Sequence, residues 1–275
     1  MAHLMSPLPP YPRKRLGQHF LIDPNLNRKI ISFADLTPET FVCEIGPGGG
    51  ALTRNLCRAS AQVLALEVDP RMVQFLRTEF QDCPNLEVRE GDALQFPFDQ
   101  LPSSTVVVAN LPFNISTPIL FRLLESRAKI TRMVFTIQLE VAQRLAAKPG
   151  TKEYGVLSVM AQRFAVVRYG FPVSRKCFRP IPDVGSGVVR LDIRLDDQTN
   201  QADLTQFQQI VRAAFGQRRK TLLNALRGAG FATTHLANAQ ELTGIALTRR
   251  AETLSVEEFK ILSEALNNPT LPSLP

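Results

Sequence analysis

The chain has 275 residues, enough for one large domain or one domain with a small appendage. Hydrophobic residues make up 44%, which supports a proper core, yet no window approaches the ~18 consecutive apolar residues of a membrane span. A net charge of +7 and a pI near 9.5 permit an anionic partner, while four scattered cysteines and three histidines offer no zinc spacing, so no metal is expected and the thiols read as reduced and cytosolic.

Residues 1–12 are Pro-rich, lack the apolar core of a signal and read as a flexible tail. Strand and helix patterns then alternate from about residue 41. Phe41–Ile45 reads as a strand, followed by a Gly-rich turn and a helical stretch from Ala51 to about Arg58. Gln62–Glu67 is the next strand, with a helix opened by Pro70; Leu86–Arg89 and Thr105–Ala109 follow as strands. A helix over Thr117–Arg127 carries Ile119, Leu120, Leu123 and Leu124 on one face. Arg132–Ile137 reads as a strand, Glu140–Ala147 as a helix and Lys148–Gly155 as a loop. Two β-rich stretches, Phe164–Phe171 and Gly187–Arg194, flank a Pro-rich loop. This spacing predicts a mostly parallel sheet with helices on both faces and an antiparallel edge from the last two strands.

From residue 196 the character changes. Residues 196–202 are polar and aperiodic and read as a linker between an α/β domain over 13–195 and an all-helical domain over 203–266. Asp203 reads as the N-cap of a helix to about Phe215, and a second helix runs from about Arg218 to Arg227, ended by Gly228. Ser255 opens the last helix, with Glu258 completing a capping box; residues 267–275 form a Pro-rich tail.

The candidate chemistry sits at strand ends. Gly46, Gly48, Gly49 and Gly50 follow the first strand, where glycine lets a ligand approach the backbone. Alone, this pattern also satisfies the relaxed dinucleotide fingerprint, or marks a tight βα turn with no ligand. Glu67 ends the second strand, where a carboxylate accepts both hydroxyls of a ribose. Asp92 follows the third, where a carboxylate accepts from an adenine amine. Those roles suit an adenosine without a phosphate, and hence S-adenosylmethionine.

Asn110-Leu111-Pro112-Phe113 closes the fourth strand with an amide, a forced turn and an aromatic ring. The Asn110 side-chain oxygen and the Leu111 carbonyl are placed to accept the two hydrogens of a ring amine, while Pro112 holds both rigid and Phe113 stacks on the base. Such a clamp suits methyl transfer onto an unpaired or flipped adenine and needs no dedicated base, because the attacked amine becomes strongly acidic. Elsewhere, basic residues cluster at residues 13–15, 175–179 and 218–220 and at Arg249-Arg250, which favours a phosphate backbone as partner. On a continuous helix, Lys220 and Arg227 would share a face.

From residue 13 almost to the C-terminus the sequence resembles the ribosomal RNA adenine dimethyltransferases, most closely their small-subunit type. The matching stretches are residues 16–21 (LGQHFL), 44–50 (EIGPGGG), 91–93 (GDA), 110–116 (NLPFNIS) and 178–184 (FRPIPDV). In the helical region, residues 215–222 (FGQRRKTL) and 250–255 (RAETLS) make the match specific. The resemblance implies a Rossmann-like methyltransferase domain with a small C-terminal helical domain, and a cleft holding rRNA. It implies transfer of two methyl groups from S-adenosylmethionine to N6 of each of two adjacent adenosines near the 3′ end of small-subunit rRNA. The enzyme would act as a cytoplasmic monomer on a pre-assembled subunit, with a role in subunit biogenesis. Cofactor contacts would fall on His19, Leu21, Gly46, Glu67, Asp92 and Asn110, and base contacts on Asn110, Leu111 and Phe113 with Phe178 as a second stacking partner. Arg218, Arg219, Lys220, Arg227, Arg249 and Arg250 would bind RNA. Phe113 stands where Tyr is common, Asp183 where Lys is usual and His19 where Asn is frequent. The erythromycin-resistance type, acting on large-subunit rRNA, and a non-catalytic relative serving as an assembly or transcription factor are the alternatives.

Overall fold

Asp23 sets the entry of the first helix, because its carboxylate accepts the Asn25 and Leu26 amides at 2.8 and 3.3 Å while Pro24 fills the first helical position. In the computed structural model, residues 9–194 and 201–267 are described. Strand β1 (Phe20–Leu21) precedes α1 (Pro24–Ala34), β2 (Phe41–Ile45), α2 (Thr53–Ala59), β3 (Gln62–Glu67) and α3 (Pro70–Glu79). Next come β4 (Leu86–Glu90), β5 (Thr105–Asn110), α4 (Ser116–Glu125), β6 (Ile130–Gln138) and α5 (Leu139–Leu145). Then follow α6 (Val156–Phe164), β7 (Ala165–Val173), β8 (Phe178–Arg179) and β9 (Ser186–Ile193).

The main sheet has the order β4-β3-β2-β5-β6-β9-β7, and β1 pairs with β8 in a separate two-stranded ladder. Strands β2 to β6 pair in parallel and β9 runs antiparallel to β6, matching the expected change of direction near the end of the sheet. Buried parallel strands need apolar side chains on both faces, and Val106, Val107, Val108 and Ala109 of β5 supply them. The chain winds from β2 outward through β3 and β4, then returns to add β5 and β6 on the other side of β2. The carboxyl ends of β2 and β5 therefore flank the point where strand order reverses, the usual ligand crevice of an open α/β sheet.

A second compact unit contains α6, α7 (Gln201–Gly216), α8 (Leu222–Gly228), α9 (Thr233–Thr243) and α10 (Val256–Asn267). It takes in residues 143–165 as well as the C-terminal region, whereas the sequence places a single boundary at 195. The reason is packing: α6 buries Val159, Met160 and Phe164 and touches α7 and α10, and the Tyr154 ring meets Phe215 at 6.1 Å. Of the expected linker, residues 196–200 lie outside the described residues and Gln201–Ala202 already belong to α7. Residues 1–8 and 268–275 of the two expected tails also lie outside them.

Other boundaries shift. Helices α1, α6 and α9 have no counterpart in the expected elements. Asp203 falls in the first turn of α7 rather than at its cap. Residues 217–220 form a turn, and α8 starts only at Leu222 behind Thr221, whose hydroxyl accepts the Asn224 amide at 3.4 Å. Helical spacing consequently does not relate Lys220 to Arg227. The capping box is formed as expected: Glu258 accepts the Ser255 amide at 2.7 Å and Ser255 accepts the Glu258 amide at 3.1 Å.

Candidate active site

Four strand ends meet at one cleft in the first unit. Register aligns Ile45 with both Leu66 and Ala109, and Glu67 with Glu90, so the residues just beyond them form a row along one edge of the sheet. Gly46, Glu67, Asp92 and the Asn110–Phe113 tetrapeptide all line the cleft. Opposite them runs a strap, Leu16 to Phe20, that also lines it.

The glycine turn is built for close approach. Gly46, Gly48 and Gly50 all have positive φ (68°, 54° and 78°), and a Cβ on Gly46 would point into open space. Glu67 is buried and holds the turn from below. One of its oxygens accepts the Gly48 amide at 3.1 Å and the other accepts the Val68 and Asp69 amides at 3.0 Å each. Burial raises its carboxyl above the ordinary range, while the Asp69, Gly48 and Val68 amides oppose that rise. A carboxylate offers about four acceptor sites, so three amides leave room for a ribose hydroxyl.

Glu44, one turn of the pleat earlier on β2, carries a signal that sequence reasoning missed. Its side chain is buried, accepts the Thr53 hydroxyl at 2.6 Å, and faces a small recess shared with Phe20, Gly46, Pro47 and Asn110. Burial pushes its carboxyl up to about 8, against the Thr53 bond and with some help from Glu67. An acid inside an otherwise apolar strand was the available clue.

Asp92 uses one oxygen to accept the Leu94 amide at 2.9 Å, and no donor among the described residues bonds the other. Asn110 donates through Nδ2 to the His19 carbonyl at 2.8 Å. A carbonyl only accepts, so this bond fixes which end of the amide is nitrogen and leaves Oδ1 free of protein donors among the described residues. Leu111 is anchored by its amide to Thr136 O at 3.1 Å. Phe113 is half-buried at the cleft, its ring stacked on His19 with centroids 5.8 Å apart. His19 in turn donates from Nδ1 to Pro180 O at 2.8 Å, which assigns the proton to that nitrogen.

Two expected contacts need revision in their surroundings. Phe178 reaches the cleft lining but is only 2% exposed, packed with Leu21 and Val173 in the core and paired to Leu21 by the β1–β8 ladder. Leu21 is likewise buried and faces the smaller recess rather than the main cleft. No group of three or more potential metal ligands occurs among the described residues.

In the helical unit the six cations divide. Arg218 pairs with Glu252 at 3.0 Å and donates to the Lys152 carbonyl, and Arg249 pairs with Glu258 and donates to Thr253 O at 2.7 Å. Those two guanidiniums are committed to partners within the unit. Arg219, Lys220, Arg227 and Arg250 are exposed, with no side-chain partner among the described residues.

The chain matches the ribosomal RNA adenine dimethylase family over residues 11–268. It belongs to that family. "Ribosomal RNA small subunit methyltransferase A" of Pelotomaculum thermopropionicum is 44% identical, covering 92% of this chain and 91% of its own length. The protein of the same description from Moorella thermoacetica is 41% identical, over 94% and 93%. Among solved structures, a dimethyladenosine transferase from Plasmodium falciparum aligns with a TM-score of 0.78 at 28% identity, covering 89% of this chain and 96% of that one. The 23S rRNA methyltransferase ErmE aligns at 0.71 with 28% identity, over 90% and 100%. Like its family, the dimethylase is an S-adenosylmethionine-dependent methyltransferase of Rossmann-like fold, and rRNA is its partner. No helix among the described residues is long and apolar enough to cross a membrane.

Proposed function

We propose that this dimethylase transfers methyl groups from S-adenosylmethionine to N6 of two adjacent adenosines near the 3′ end of small-subunit rRNA, giving N6,N6-dimethyladenosines. The observation that carries this reading is the convergence of Glu67, Asp92 and Asn110–Phe113 on one cleft at the switch point of the sheet. The cleft fits an adenosine: an open approach over Gly46, a carboxylate with spare acceptor capacity at Glu67, and an uncommitted oxygen on Asp92. Bound there, S-adenosylmethionine supplies an electrophilic methyl group on a sulfonium. His19, in the strap, and Leu21, in the recess, would hold the cofactor's amino-acid end, and Glu44 would offer that end a buried carboxyl group.

The chain's own residues do the rest by positioning. Asn110 Oδ1 and the Leu111 carbonyl accept the two N6 hydrogens, Pro112 keeps the acceptors fixed, and Phe113 holds the ring flat. Hydrogen bonds at both hydrogens favour a more tetrahedral nitrogen, whose lone pair then leaves the ring system. Once methylated, the nitrogen is cationic and gives its proton to solvent. Stacking falls chiefly on Phe113, because Phe178 is covered and serves the floor of the cleft. RNA contacts fall on Arg219, Lys220, Arg227 and Arg250, with Arg218 and Arg249 bracing them. The enzyme works as a monomer on a pre-assembled small subunit in the cytoplasm.

The deciding experiment maps methyl groups by mass spectrometry after incubation with unmodified small subunits, large subunits and naked rRNA. Dimethyladenosine on small subunits alone is expected. Label confined to large-subunit RNA overturns the assignment.

A further inference from the structure

Between β8 and β9 the chain leaves two large aliphatic side chains in solvent, Ile181 at 55% and Val184 at 47% exposure. Their loop is held rather than slack. His19 Nδ1 donates to the Pro180 carbonyl at 2.8 Å, Arg175 donates to the Asp183 carbonyl at 2.8 Å, and Pro182 is buried between the two exposed residues. Covering an exposed isoleucine on a loop that is already held removes apolar area from water at little ordering cost.

The position of the loop points to what covers Ile181. In the β1–β8 ladder Phe20 pairs with Arg179, the last pair of that ladder, so the loop leaves the ladder beside the strap that carries His19. The His19 ring then bonds the Pro180 carbonyl at 2.8 Å and ties the first residue of the loop to the strap. Gln18 and His19 both line the cleft, and His19 stacks on Phe113. Ile181 therefore lies one residue beyond the bond that links the loop to the clamp. Arg175, Lys176 and Arg179 are exposed on the same segment, and among the described residues Lys176 and Arg179 have no side-chain partner. A flat apolar surface joined to an anion is the complement of such a site, and a nucleotide has both. Asp183 adds a carboxylate that steers the phosphates toward the Arg175–Arg179 side.

We propose that Ile181 is the stacking platform for the nucleobase next to the one held in the clamp. The proposal rests on the reading that adjacent adenosines are the targets. A base drawn onto Phe113 leaves its neighbour's face uncovered, and an exposed aliphatic side chain one residue past the His19–Pro180 bond covers it. With two adjacent targets, one adenosine sits on the platform while the other reacts. Ile181 is thus a positioning residue.

The test uses the full-length protein and unmodified small subunits, with each adenosine scored by mass spectrometry. Ile181→Ala should lower kcat/KM by about five- to tenfold, mostly through KM and with cofactor affinity unchanged, and Ile181→Leu should restore it. On subunits whose neighbouring adenosine is replaced by uridine, a poorer stacking base, wild type should fall and Ile181→Ala should lose little more. An alanine variant that matches wild type, or that loses equally on both substrates, overturns the platform. So does a dimer in wild type that Ile181→Asp dissociates, because the patch then serves a second copy. Wild type inactive on small subunits overturns the functional reading and the platform together; active wild type beside an insensitive variant overturns the platform alone.

Discussion

Asn110 has two ends with separable duties, and replacing it by Asp or by Ala tells them apart. Nδ2 ties the strap by its bond to the His19 carbonyl at 2.8 Å, while Oδ1 faces the cleft without a donor among the described residues. Losing the tie removes a neutral hydrogen bond, about 0.5–1.5 kcal/mol, so Asn110→Asp should be slowed by up to about tenfold. Losing the acceptor as well removes a bond to a nitrogen that turns cationic during transfer, about 1.5–3 kcal/mol more. Together these predict Asn110→Ala slower by about 30- to 2,000-fold. The measurement is single-turnover transfer of labelled methyl to unmodified small subunits, with saturating enzyme and cofactor, alongside calorimetric cofactor binding. Cofactor affinity should persist in both variants. If Asp were as slow as Ala, Asn110 would be only a tether; an Ala rate within threefold of wild type would refute both duties.

Four further outcomes follow from the same structure. Phe113→Ala should be severely impaired and Phe113→Tyr active, since only the ring face is used; an alanine variant with normal KM for subunits would make Phe113 a packing residue. Neutralising Arg219, Lys220, Arg227 and Arg250 should weaken subunit binding and flatten its salt dependence, by roughly 0.7–0.9 in log–log slope for each phosphate no longer neutralised. Arg249→Ala should instead lower the melting temperature and leave that slope nearly unchanged, because its partners are Glu258 and Thr253. Glu44 gives a pH signature: its folded-state carboxyl is raised from 4.5 to about 8, so the folded protein retains a proton that the unfolded chain has released. Stability should therefore fall as pH rises from about 4.5 to 8, and Glu44→Gln, which still accepts from Thr53, should flatten that fall in denaturant titrations at pH 5 and 8. An unchanged pH profile in the glutamine variant would exclude Glu44 as its source.

The strand ends were legible because their chemistry is punctuated: Gly46, Glu67 and Asn110 each close an apolar run, Asp92 follows a strand of alternating polarity, and parallel strands must end on one side of a sheet. Their convergence followed from topology rules alone. Helix α6 was harder, since its stretch from Val156 to Ala161 is apolar nearly throughout and shows no clean period before a β-rich segment. Helix α1 was legible in principle from Asp23-Pro24, yet the two-residue strand β1 before it is too short to leave a pattern. The turn at 217–220 contains no apolar residue to mark a face, so charge alone invited its inclusion in a helix. Charge also hid the division among the arginines: nothing local distinguishes Arg249, bound to Glu258, from Arg250, which is exposed. Phe178 illustrates the same limit for aromatics, because its burial depends on the β1–β8 ladder, a pairing of residues more than 150 positions apart.

The grouping of residues 143–165 with the C-terminal helices makes the second unit discontinuous in sequence. A fragment cut at residue 195 would carry α6 without α7 and α10, leaving Val159, Met160 and Phe164 bare and prone to aggregate. On the ribosome that makes this protein, α6 emerges well before α7 and α10, so its apolar face must wait, unpaired, for the last 75 residues of the chain to be synthesised. Designs that excise the methyltransferase half should therefore remove residues 143–165 together with the C-terminal helices rather than simply truncate at 195.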